Sequence, residues 1–99
     1  MTPAALKASV SNAAPPAGLT PPLQALWWAG KGGWDQAHKI VMREEGADAA
    51  WVHAYLHRVE GDLPNARYWY RTADKPVATG ALEGEWQAIA AELLDRAGR

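Results

Sequence analysis

Cysteine and phenylalanine are both absent from this 99-residue chain. Without cysteine there is no disulfide, no thiolate zinc ligand and no sulfur nucleophile. Serine occurs only at Ser9 and Ser11, so the remainder of the chain lacks the nucleophile of a Ser–His–acid triad. Neither sign of charge is in excess: ten Lys and Arg meet eleven Asp and Glu, for a formal net charge of −1. No global field draws the chain to nucleic acid or to an anionic membrane, and neither is expected as a partner. No run of apolar residues is long enough to span a bilayer. Pro15 and Pro16 interrupt any signal-peptide core near the start. The expected location is cytoplasmic.

Aliphatic residues are also scarce, since Leu, Ile and Val supply only 16 positions. The apolar area must come instead from six Trp and three Tyr, each able to bury roughly 150–250 Å². A core therefore requires most of the tryptophans inside. Alanine at 21 positions, against eleven Val, Ile and Thr, favours helix over strand. The expected fold class is all-α, with about five helices forming two antiparallel hairpins and a C-terminal capping helix.

Five of the seven prolines fall within the first 22 residues, so residues 1–19 read as a disordered tail and 20–99 as a single helical domain. Thr20 followed by Pro21 and Pro22 marks a helix start, and Gly30 to Gly33 a stop. A second helical pattern runs from Trp34 to Glu45, with Trp34, Ala37, Ile40 and Val41 on one face. Asp48 is placed to cap a third helix, in which Trp51, Val52, Tyr55, Leu56 and Val59 recur at helical spacing up to Gly61. Asp62 caps a fourth that Lys75-Pro76 closes, and a fifth spans about Gly80 to Ala97 with the stripe Leu82, Trp86, Ile89, Ala90, Leu93 and Leu94.

The helix pairs repeat: Gly32-x-Trp34-x-x-Ala37 superimposes on Gly61-x-Leu63-x-x-Ala66 at an offset of 29 residues. With the ladder Ala54, Gly61, Ala66 and Ala73, Tyr70 at a large aromatic position, and Ala25, Gly32 and Ala37 in the first unit, residues 20 to 76 resemble tetratricopeptide-repeat hairpins. Departures are the short offset against a usual period of about 34 residues, Glu44 in place of the last alanine of the first unit, and His53 and His57 at normally apolar positions. The stretch Trp51 to Arg71 also resembles small bacterial helical proteins, a likeness that implies no activity. The repeat resemblance implies binding of a protein or peptide, on a concave side presenting Trp51, Tyr55 and Arg58. Two repeats are fewer than an isolated array needs, which makes a homodimer the expected way of covering the remaining apolar surface.

Three further constellations carry chemistry. His53 and His57, four apart on one helix face, can ligate a divalent metal, with His38, Glu60 or Asp62 completing the set. The competing reading packs both imidazoles between helices, and no H-E-x-x-H pattern supports catalysis because Ala54 follows His53. Arg67-Tyr68-Trp69-Tyr70-Arg71, with Arg58 one helix earlier, mixes cations and rings suited to a small anionic ligand. Glu83, Glu85, Glu92 and Asp95 read as the solvated face of the last helix. Ala29-Gly30-Lys31-Gly32-Gly33 lacks the spacing of a phosphate loop. The leading expectation is a non-enzymatic interaction or self-assembly module without cofactor. The alternative is an anionic-ligand or metal-binding protein, with an enzymatic role, using His53, His57, Arg58, Arg67 and Arg71.

Overall fold

A computed structural model describes residues 1–98, and among them every regular element is helical. Six α-helices follow in order: α1 (Pro3–Ala8), α2 (Pro21–Lys31), α3 (Trp34–Met42), α4 (Ala47–Glu60), α5 (Leu63–Ala73) and α6 (Leu82–Ala97). A short 3₁₀ turn, Ser9–Ser11, extends α1. Helices α2 and α3 form one hairpin and α4 and α5 a second, while α3 also lies against α4. Helix α6 packs on α1, α2 and α4.

The 29-residue offset reappears in the backbone. Gly32 and Gly61 take left-handed conformations, with φ of 93° and 87°, a region in which a Cβ is costly. Each ends its helix with the same pair of bonds: Gly32 N–H donates to Ala29 O at 3.1 Å and Gly33 N–H to Trp28 O at 2.8 Å, as Gly61 N–H does to Arg58 O at 3.1 Å and Asp62 N–H to His57 O at 2.9 Å. Asp62 then caps α5 by accepting from Asn65 N–H at 3.3 Å, as its position at the helix start requires. The small residues Ala25, Ala37, Ala54 and Ala66 are all buried, which lets the paired helices approach closely.

Residues 3–11, within the segment 1–19 read from the sequence as a disordered tail, form α1 and its 3₁₀ extension. Thr2 caps α1 by accepting from Ala5 N–H at 3.0 Å, and Pro3 sits in the first turn, where its missing N–H is harmless. Leu6 is fully buried, Ser9 Oγ accepts from Trp27 Nε1 at 2.9 Å, and Lys7 lies 4.7 Å from the Trp86 ring centroid. The segment thus supplies apolar area and a hydrogen-bond acceptor that the aromatic core needs. Other expected bounds shift less: α3 ends at Met42, α4 starts at Ala47 with Gly46 as its cap residue, and α6 starts at Leu82.

Trp27 and Trp86 are the largest fully buried side chains. Trp86 Nε1 donates to Leu26 O at 2.8 Å, which fixes α6 against α2. Gly30 makes this possible, since a Cβ there would stand 3.2 Å from the indole.

Candidate functional site

Three consecutive helices bring all three histidines of the chain together. Trp34 and His38 are four apart on α3, His53 and His57 four apart on α4, so each pair shares a helix face. The α3 and α4 faces meet, and α5 closes the cluster with Trp69. His38 Nε2 and His53 Nε2 lie 3.1 Å apart, and a ligating atom from each of His38, His53 and His57 falls within 4.8 Å of the others. His53 and His57 are buried, at 4% and 5% exposure, while His38 is half-buried.

The rings are held from outside the cluster. Trp69 stacks on His53 with centroids 3.9 Å apart and planes inclined by 15°. Trp34 stacks on His38 at 4.7 Å and anchors itself by donating from Nε1 to Leu56 O at 2.6 Å. Glu60, one turn beyond His57, meets His57 Nδ1 at 2.6 Å. A carboxylate only accepts, so Nδ1 is the donor in that contact. Glu60 and Asp62 also group with His57 at its outer edge.

Burial is the main reason that His53 is held neutral, with its pKa lowered to about 4; the neighbouring His57 and His38 add to the effect. His38 is lowered as well, by burial first and then by His57, against a partial opposing pull from Glu60 and Asp35. Neutral imidazoles are the form that binds metals.

A second polar constellation was not legible as such. Glu85, expected on the solvated face of the last helix, is instead buried at 9% exposure. It accepts from Arg58 Nη1 at 2.9 Å and from the Tyr70 hydroxyl, and Arg58 Nη2 also donates to Gly80 O. Glu85 stands three residues after Leu82 and four before Ile89, at the edge of the apolar stripe, which is the sequence signal for its inward position. Burial and the Glu85 carboxylate push the Tyr70 hydroxyl well above the usual phenol range. Tyr55 is pushed up to about 12, by burial first and then by the charges of Glu85 and Glu83. Glu83 lies at the surface in an ion pair with Lys7 at 3.2 Å. On the same helix Glu92 pairs with Lys75 at 2.8 Å.

The structure divides the proposed binding residues in two. Trp51, Tyr55 and Tyr70 are buried in the core, with Lys75 Nζ 4.1 Å from the Trp51 ring centroid. Arg58 is half-buried and bound to Glu85, whereas Arg67 and Arg71 are exposed. Arg58, Arg67 and Tyr70 line one cavity with Leu63, Ala66 and residues 77–79; Arg71 is outside it. The chain matches no protein-family model, no curated protein and no solved structure.

Proposed function

We propose that this small helical protein binds a divalent transition-metal ion of the zinc, copper or nickel class through His38, His53 and His57. The observation that carries the reading is the convergence of three imidazoles from two helices. Their nitrogens approach the spacing of a metal's coordination shell: two ligands on tetrahedral zinc at about 2.0–2.1 Å stand roughly 3.3 Å apart, close to the 3.1 Å between His38 and His53. Glu60 on His57 Nδ1 supplies the outer carboxylate that orients and strengthens an imidazole ligand. Nitrogen ligands without thiolate or a carboxylate cage favour these borderline ions over calcium or magnesium.

The experiment is titration calorimetry with Zn²⁺, Cu²⁺ and Ni²⁺ on chelator-treated protein, beside His53→Gln and His57→Gln variants whose helicity is verified by circular dichroism. One ion per chain is expected, with affinity falling at least 100-fold in each folded variant. Absence of binding at micromolar metal, or equal binding by the folded variants, overturns the reading.

A second reading treats the chain as a tetratricopeptide-like interaction or self-assembly module. It is supported by two hairpin turns with the same backbone bonds and by the exposed apolar side chains Val59, Leu63 and Tyr68 along α4 and α5. Under this reading the chain is a homodimer or captures a peptide. Sedimentation velocity from one to one hundred micromolar tests the dimer, and a single monomeric species throughout removes it.

A further inference from the structure

The face of α5 turned from the histidines has an unusual cover. Leu63, Ala66, Arg67 and Tyr70 recur at helical spacing, and the irregular segment 77–79 runs over them, touching down at Ala78, which packs against the core. Between them lies a cavity of about 360 Å³, also lined by Arg58, within the size range of small-ligand sites. The segment is held at two points. Arg58 holds the segment through Gly80 O, and the backbone of Ala78 faces the Tyr70 hydroxyl.

The lining of this cavity is chemically mixed. Leu63 and Val77 line it while remaining 50% and 45% exposed, an apolar pair without cover. Arg67 contributes a guanidinium that makes no hydrogen bond or ion pair among the described residues. Arg58 is already matched by Glu85 at 2.9 Å, so among the lining residues one positive charge, that of Arg67, is uncompensated. That balance suits a monoanion better than a phosphate dianion. The larger cleft beside it, of about 510 Å³ around Trp51, has no such vacancy of charge, because Lys75 there is paired with Glu92.

We propose that the cavity between α5 and segment 77–79 binds a small amphipathic monocarboxylate, with the carboxylate on the Arg67 guanidinium and the hydrocarbon body between Leu63 and Val77. The planar guanidinium offers two parallel N–H donors to a carboxylate, and the apolar pair loses water on binding. Thr79 adds a hydroxyl at the rim. The site is independent of the histidine cluster and its metal.

Sodium octanoate, octylamine and 1-octanol are the probes, added to ¹⁵N-labelled full chain and followed by amide shifts of Val77, Ala78 and Thr79. Saturable octanoate binding at those amides is expected, with 1-octanol at least tenfold weaker and octylamine not binding. Arg67→Gln should weaken octanoate roughly 10- to 100-fold, as loss of a charge-assisted hydrogen-bond pair does, while Arg43→Gln on the distant α3 end leaves it unchanged. Equal affinity for octanol and octanoate overturns the proposal, as does octanoate binding that Arg67→Gln does not alter, or no saturable shift at millimolar octanoate.

Discussion

Glu60 and Tyr70 show how much a single polar contact decides in this chain. Glu60 hydrogen-bonds to the histidine cluster through His57 Nδ1, so under the proposed function Glu60→Gln should keep the fold and lower metal affinity about 10- to 100-fold, the usual cost of losing an outer-shell carboxylate. Calorimetry at constant pH measures this, and an unchanged affinity would show that His57 needs no orienting partner. Tyr70 presents the opposite case, a buried hydroxyl given to the buried Glu85. Tyr70→Phe removes one donor, leaves Arg58 to satisfy Glu85 alone, and should cost about 1–3 kcal/mol of stability in urea unfolding. A loss below about 0.5 kcal/mol, within the scatter of neutral substitutions, would mean that the carboxylate finds another donor.

At the scale of elements, the first helix is where sequence and structure part most. Its removal, by starting the chain at residue 12, takes away the fully buried Leu6 and the Ser9 acceptor of Trp27. Burial of one leucine is worth about 1.5–3 kcal/mol, so truncation should lower unfolding stability by at least about 2 kcal/mol; unchanged stability would show that the segment adds nothing to the core. The four hairpin helices were legible because local signals mark them: Gly32 and Gly61 at left-handed positions, the Asp62 cap, and the apolar spacing of Trp51, Val52, Tyr55 and Leu56. Helix α1 was not, because the prolines of residues 1–22 outweigh a six-residue run that favours helix by itself, and because its partners Trp27 and Trp86 lie far along the chain. The candidate site divides likewise. The pairing of His53 with His57 follows from helical spacing, and His38 was within reach as a completing ligand. The stacking of Trp69 on His53 and the inward turn of Glu85 depend on how helices are placed, which periodicity alone does not fix.

For the whole molecule, the histidine cluster links folding to protons. In metal-free protein His53 is held near 4 in the folded state against an ordinary 6.5, and His38 is shifted in the same direction. As pH falls, the unfolded chain therefore takes up protons first. The stability contributed by a neutral His53 is complete above about pH 7, declines between 6.5 and 4, and is lost below, a loss of about 3 kcal/mol for this group. Thermal melts in chelator at pH 7.5, 5.5 and 4.5 should show a steady fall in Tm, and a flat profile would place the rings in contact with solvent. His53→Gln separates this effect from ordinary acid unfolding, because glutamine keeps a polar side chain in the cluster and takes up no proton. Its profile should be flatter than that of the parent across the same interval. Under the proposed function, metal acts on the same equilibrium from the other side: binding to the folded cluster would add about 2.7 kcal/mol at a hundred times its Kd. At pH 7.5 it should therefore raise the Tm of the parent and leave His53→Gln almost unmoved. A parent and variant with parallel pH profiles and equal response to metal would place both the titrating group and the ligands elsewhere in the chain.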